Sequence, residues 1–161
     1  MGKRVIEAFR ITDYTMAIQP MRERWSDFAE DGAELRIPDI VNEYWIGILD
    51  SGKYVGFVRL AQMNSVVMDC HICIMHKTGN PVNYALKAME WIIDHTPNVQ
   101  KLVCHVPEFK KGAIKLAKRA GFSMQGFSSD SYLKGGKLHG LVQLGINRKA
   151  MEDICHQQSQ H

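Results

Sequence analysis

DCHICIMHKTGNPVNYALKAMEW, residues 69–91, is the stretch on which the fold turns. Its first part is apolar enough for a strand, KTGNP is loop chemistry, and Val82, Ala85, Leu86, Met89 and Ile93 recur at the intervals of a helix that lays one face on a sheet. A strand that passes through a Gly-containing loop into a helix gathers free backbone N–H groups and the positive end of a helix dipole at one point. Such a junction can hold an anion such as a phosphate. Within it, Gly79 has the conformational freedom a phosphate cradle uses, whereas Pro81, acceptable at the first helical position, removes one N–H donor.

Working back from this stretch, KRVIEAFRI (3–11) reads as a first strand, with Thr12 or Asp13 as the oxygen that caps a following helix. Pro20 predicts a break there, so two short helices are expected, the second spaced by Met21, Trp25 and Phe28. Residues 32–42 form a connecting loop. YWIGILD and YVGFVRLAQ, joined through Ser51-Gly52, read as a hairpin, and Asn64-Ser65 turns the chain into VVMDCHICIM. Three antiparallel strands therefore precede the central loop.

Working forward, Pro97 and Asn98 end the helix, and KLVCHV is a short apolar strand reached by a helical crossover. It is expected parallel to the strand at 66–75, with a right-handed connection. A helix from about 109 to 120 should bury Phe109, Ala113, Leu116 and Ala117, stop at Gly121, and show solvent a basic face of Lys110, Lys111, Lys115, Lys118 and Arg119. Residues 122–133 and 137–146 flank Gly135-Gly136 as a closing hairpin, and 149–161 read as a polar tail that frays. The fold class is α/β, an α+β mixed sheet of six or seven strands with flanking helices, in one domain over 1–148.

At 161 residues, 45% hydrophobic and 23% charged, the composition is that of one globular domain. No apolar run approaches the roughly 18 residues of a membrane span, and MGKRVIEAFR lacks the apolar segment of a signal peptide, so a cytoplasmic protein without membrane association is expected. A net charge of +3 gives no strong nucleic-acid signal. Of Cys70, Cys73, Cys104 and Cys155, three sit in apolar runs, and no disulfides are expected.

The order strand, helices, three antiparallel strands, helix, parallel strand, helix, hairpin resembles that of the GCN5-related N-acetyltransferases (GNAT) from about Val5 to Ile146. The most specific piece is GAIKLAKRAGFSMQGF (112–127), where Ala113, Leu116, Gly121 and Phe122 match the family's segment. The resemblance implies a V-shaped splay between the two parallel strands that admits acetyl-CoA. It implies cofactor contacts from Ile74, Met75, His76, Lys77, Thr78, Gly79, Asn80, Pro81 and Val82, with Cys104 near the thioester. It also implies departures. The family loop resembles Gln/Arg-x-x-Gly-x-Gly/Ala, and here His76 and Pro81 replace its first and last members. Ala117 stands where many members carry a Tyr that protonates the leaving thiolate, and Lys110 where an Asn is frequent.

Asp69 and His71, two apart on one strand, share a face with Cys73 and Met75, and either could take a proton from an amine. A pair hydrogen-bonded within the fold is the alternative. Cys70-His-Ile-Cys73 imitates a metal motif, yet residues three apart on a strand face opposite ways, so no metal site is expected. Trp25, Tyr44 and Trp45 lie in the part that, by the resemblance, forms the acceptor side, with core packing as the other reading. Two functions remain: an acyl-CoA-dependent N-acetyltransferase with an amine acceptor, and a non-catalytic assembly module with a protein partner, such as a tailed-phage virion protein, since such proteins share the 112–127 segment. Homo-oligomers or virion components are the partners the second reading expects.

Overall fold

The computed structural model describes residues 2–75 and 79–160. The chain runs β1 (Ile6–Arg10), α1 (Tyr14–Phe28), β2 (Tyr44–Asp50), β3 (Lys53–Gln62), β4 (Val67–Ile74), α2 (Pro81–His95), β5 (Lys101–Pro107), α3 (Lys111–Arg119), β6 (Ser123–Lys134), β7 (Lys137–Asn147) and α4 (Arg148–Gln158). The strands form one mixed sheet in the order β1-β2-β3-β4-β5-β7-β6. All neighbours are antiparallel except β4 and β5, which are parallel, as the helical crossover through α2 requires. No helix among the described residues is long and apolar enough to cross a membrane.

Both hairpins turn where the sequence places them. Ser51 and Gly52 take φ of 51° and 82°, and Gly135 and Gly136 take 60° and 72°, the left-handed geometry of tight hairpin turns. Gly121, with φ of 104°, follows the last residue of α3 as its left-handed stop. The sheet carries a core on each side. Ile46, Ile48, Leu60 and Met68 face α2 and α4, whereas Trp45, Phe57 and Cys73 face α1. Trp45 is core, at 1% exposure, and Tyr44 packs on Trp91 of α2.

Three expectations are corrected. Pro20 does not divide α1, which is a single helix from Tyr14 to Phe28. A proline at 20 leaves the Met16 carbonyl without its helical donor, and the Tyr54 hydroxyl donates to that carbonyl at 2.7 Å instead. The polar tail is ordered as α4. Asn147 caps it by accepting from Ala150 N at 2.8 Å, Met151 is fully buried, and Arg148 donates to the carbonyls of Ile93, Thr96 and Val99 at 2.9–3.0 Å, closing the C-terminal end of α2. Met151, Ile154 and Cys155 supply the one apolar stripe on an otherwise polar helix. The third correction concerns α3, none of whose residues is fully buried; Phe109 and Ala113 are exposed. Its apolar face borders a cavity instead of sealing a core.

Docking of α4 through Met151 gives a direct test. Met151→Ala should lower unfolding stability by about 2–5 kcal/mol, as loss of a fully buried Met does, measured by urea denaturation. A change below about 0.5 kcal/mol would mean that the last helix does not pack.

Candidate functional site

The site begins where two strands part. β4 and β5 pair only through Val67–Lys101, Met68–Leu102 and Asp69–Val103. Beyond these, the facing edges no longer share a ladder, and a cavity of about 370 Å³ opens between them. Strands that part in this way leave rows of backbone N–H and C=O groups turned into the gap. Cys70, Ile72, Cys104 and Val106 line it from the strands. One side wall is apolar, built from Ala88, Met89 and Ile92 of α2 and Leu116 and Ala117 of α3. The partly open apolar face of α3 is accounted for by this cavity.

At the other mouth, on the α1 side, the lining changes to Phe28, His71, Lys110 and Tyr132. The end of α1 is fastened there by the β6–β7 hairpin and the start of α3. Tyr132 Oη donates to Phe28 O at 2.8 Å, Lys134 Nζ to Ser26 O and Ala29 O at 2.5 and 2.7 Å, and Lys110 Nζ to Asp27 O. These donors meet the unsatisfied carbonyls and negative dipole end of the helix. The turn beyond is gripped as well, since Asp31 accepts from Gly135 N and Gly136 N at 3.1 and 2.8 Å, bonds that hold its carboxyl below the usual range. Lys110 therefore points inward along the cavity rim. Its expected place on an outward basic face is corrected, because the carbonyl of Asp27 and partial burial, which lowers its pKa, take it there.

Of the two strand residues singled out for proton transfer, His71 is enclosed. Its ring stands edge-on to Phe28 with centroids 5.0 Å apart, and its buried Nε2 has no hydrogen-bond partner among the described residues. Burial foremost, then the positive charges of Lys110 and Arg59, push its pKa down to about 4. The imidazole is neutral near pH 7. Asp69 lies nearer solvent, with Oδ1 3.4 Å from His105 Nδ1 across the parting strands. Both residues project on the α1 side of β4, as their spacing dictates. Cys70 and Cys73 lie on opposite faces, one against the α2-side core and the other in the α1-side core.

The loop expected to meet a phosphate is partly in view. Ile74 packs on the α2-side core, while Met75 donates its N–H to Val55 O at 2.8 Å and accepts Arg24 Nη2 at 3.1 Å. His76, Lys77 and Thr78 lie outside the described residues. At Gly79 a Cβ would come 2.6 Å from Tyr84 Oη and 2.8 Å from Arg4 Nη2, so close approach accounts for glycine here. Beneath it, buried Asp50 accepts from Arg4 Nε at 2.7 and 2.8 Å and from Tyr84 Oη. The guanidinium first and the phenol second hold its carboxyl below the usual range. This trio joins the start of β1, the end of β2 and the first turn of α2 under the loop. Asn80 caps α2, taking Val82 N on its side chain at 3.1 Å and Asn83 N on its carbonyl at 3.0 Å. With Pro81 donating nothing, the first turn of α2 spends its described donors on its own cap.

No protein-family model matches the sequence, and no curated protein does. Solved structures match closely in shape. Spermidine N-acetyltransferase from Vibrio cholerae, solved with CoA and spermine, superposes with a TM-score of 0.74 at 13% identity, over 91% of this chain and 97% of the other. An acetyltransferase of the GNAT family from Streptococcus pneumoniae gives 0.67 at 17% identity, over 90% of this chain and 99% of that one. This chain has the GNAT fold. The expected mixed sheet and the splay between its parallel strands are thus features of that fold. Within the GNAT frame, Ala117 does face the cavity, so the position where many members carry a tyrosine is directed at the cleft here too. The cavity lining does include a tyrosine, Tyr132, at the α1-side mouth.

Tyr132 and Phe28 were not singled out from the sequence as cavity residues. Tyr132 follows an irregularity in β6–β7 pairing between Ser128 and Tyr132, which shifts the alternation of faces and erases the period-two signal. Phe28 looks like any apolar helix position until the helix end is docked.

The burial of His71 carries a pH signature. Unfolded, it takes a proton near pH 6.5, but in the fold only near pH 4. Between those values the unfolded chain binds more protons, so this residue costs stability as pH falls through that window and nothing above about pH 7. The full difference is about 3 kcal/mol. Comparing urea stabilities of the wild type and His71→Gln at pH 7 and pH 4.5 should show the wild type losing ground to the variant by most of this amount. A difference that does not change with pH would mean that His71 titrates as an exposed histidine.

Proposed function

We propose that the protein is an N-acyltransferase that takes its acyl group from an acyl-CoA, with acetyl-CoA as the first donor to test and an amine as acceptor. The observation that carries this reading is the splay beyond Asp69 and Val103, with its cavity of about 370 Å³ running from an apolar wall to a polar mouth. The cavity residues fit the acyl end of such a donor. Unpaired edges of β4 and β5 suit the amides of a slender arm, Met89, Leu116 and Ala117 its methylenes, and the orphaned His71 Nε2 a polar group at the far end. Bound there, an acyl-CoA supplies a thioester carbon open to an amine.

The chain's own residues do the rest. Phe28 and Tyr132 bound the acceptor mouth and exclude water, and closeness of the two reactants supplies much of the rate. Neutral His71 accepts a hydrogen bond from the acceptor nitrogen at Nε2 and aims its lone pair. Asp69, paired with His105 on the wetter side, receives the proton the nitrogen gives up. Ala117 offers no acid to the leaving thiolate, so that group departs unprotonated and picks up its proton from solvent. At the other end of the donor, a pyrophosphate would meet Gly79 and residues 76–78 more than the first turn of α2, whose donors are engaged. An assembly role in phage virions draws no support from either structural neighbour, both of which are acetyltransferases by name.

Thermal and urea unfolding with acetyl-CoA test the binding half. At about 100 times the dissociation constant, the ligand should add roughly 2.7 kcal/mol. Thiol release with a panel of small amines tests the chemistry, with Asp69→Asn expected to lower kcat at little change in KM for acetyl-CoA. Gly79→Val should weaken binding sharply, because a side chain there drives into Tyr84 and Arg4 under the loop. No heat of binding for CoA at about 100 μM protein, which excludes affinity better than roughly −5 to −6 kcal/mol, would overturn the reading.

A further inference from the structure

The four cysteines are free thiols in the structure. Two of them occupy a particular place. Cys70 and Cys104 each follow the last paired residues of their strands, Asp69 and Val103, so they are direct cross-strand neighbours at the point where β4 and β5 begin to part. Both line the cavity. Paired strands lie about 4.8 Å apart, inside the Cα separation of about 4.4–6.8 Å that a disulfide spans, and these two cysteines stand one residue past the last pair. The two thiols are close enough for each to be the foremost influence on the other's proton affinity.

We propose that Cys70 and Cys104 form a redox-responsive thiol pair at the apex of the splay, oxidised by small-molecule disulfides and pinning the cleft shut when joined. The neighbouring Cys70 thiol favours the Cys104 thiolate and lowers its pKa, while Cys104 first and burial second raise that of Cys70. Cys73 and Cys155 are instead pushed up to about 11 by burial, which leaves them poor nucleophiles. Roles follow from this asymmetry. The Cys104 thiolate attacks one sulfur of a disulfide RSSR, forming Cys104–S–S–R and releasing RS⁻. Cys70 then loses its proton and attacks the Cys104 sulfur, forming the Cys70–Cys104 bond and releasing the second RS⁻. The protein gives up two electrons and two protons, and one small disulfide becomes two thiols. A covalent link at the apex ties the strands where they begin to part and occupies the end of the cavity that both sulfurs line, so a ligand can no longer lie there. In a reducing compartment such a bond is transient, the usual form of a cytosolic disulfide. Closure of the cleft to an acyl donor rests on the proposed function, but formation of the bond does not.

Oxidised glutathione serves as the probe on the full chain. Intact mass should fall by two hydrogens, and tryptic digestion should link residues 60–77 to residues 102–110, with fragment ions placing the bond at Cys70 and not Cys73. Cys70→Ala should stop at one glutathione adduct on Cys104. Cys104→Ala should react much more slowly. Dithiothreitol should reverse every adduct. Where the wild type binds acetyl-CoA, oxidation should abolish the ligand-dependent rise in Tm, and Cys70→Ala should resist that loss until its adduct forms. Absence of acetyl-CoA binding in the reduced protein would count against the proposed function alone, since the mass readout does not depend on it. The thiol-pair proposal is overturned if Cys70 and Cys104 stay reduced under glutathione disulfide that modifies Cys155, if Cys104 in the wild type stops at the mixed disulfide, or if oxidised protein binds acetyl-CoA as well as reduced.

Discussion

Beyond Asp69 and Val103, β4 and β5 no longer pair with each other, while each keeps its other neighbour. β4 stays on β3 as far as Ile74, opposite Gly56, while β5 stays on β7 from Cys104–Leu144 to Pro107–Leu141. Gly56 matters to this choice. A Cβ there would run into the Cys73 carbonyl, so the missing side chain lets the end of β4 lean onto β3 and away from β5. One sheet thereby carries two diverging halves, and the backbone groups exposed between them are the most distinctive chemical feature of the molecule.

That divergence organises the packing around it. The α2-side core and the α1-side core close on opposite faces of the sheet, and α3 turns its apolar face to the cavity without a fully buried residue. An unfilled apolar face costs stability that a ligand can recover by burial. On the other side, carbonyls at the end of α1 are met by Lys110, Tyr132 and Lys134, all distant in sequence. The α1-side mouth of the cavity is therefore held by side-chain donors from the hairpin and the start of α3, and its shape depends on the hairpin staying docked.

Polar groups in the site divide by solvent access. His71 is enclosed and neutral, whereas Asp69 and His105 stand together nearer the surface. The loop end shows a similar division. Asp50, Arg4 and Tyr84 serve support under Gly79, and Asn80 serves the helix cap.

Much of this was written locally. Turn pairs at Ser51-Gly52 and Gly135-Gly136, the stop at Gly121 and the crossover between two short apolar runs are set by dihedral preference and periodicity, which act over a few residues, so the sheet and its one parallel pair could be read from the chain. So could the shared face of Asp69 and His71, and the opposed faces of Cys70 and Cys73, because strand alternation has a period of two. Pro20 misled because the donor that satisfies Met16 is Tyr54, on β3, which no local pattern announces. Residues 148–158 misled because three apolar side chains suffice once α2 and the sheet are there to receive them. Lys110 turning inward, Tyr132 entering the cavity after a shift in register, His71 losing its proton affinity and Cys70 meeting Cys104 all depend on which strands and helix ends lie opposite. Those are contacts between residues far apart in the chain, and only the tertiary structure decides them.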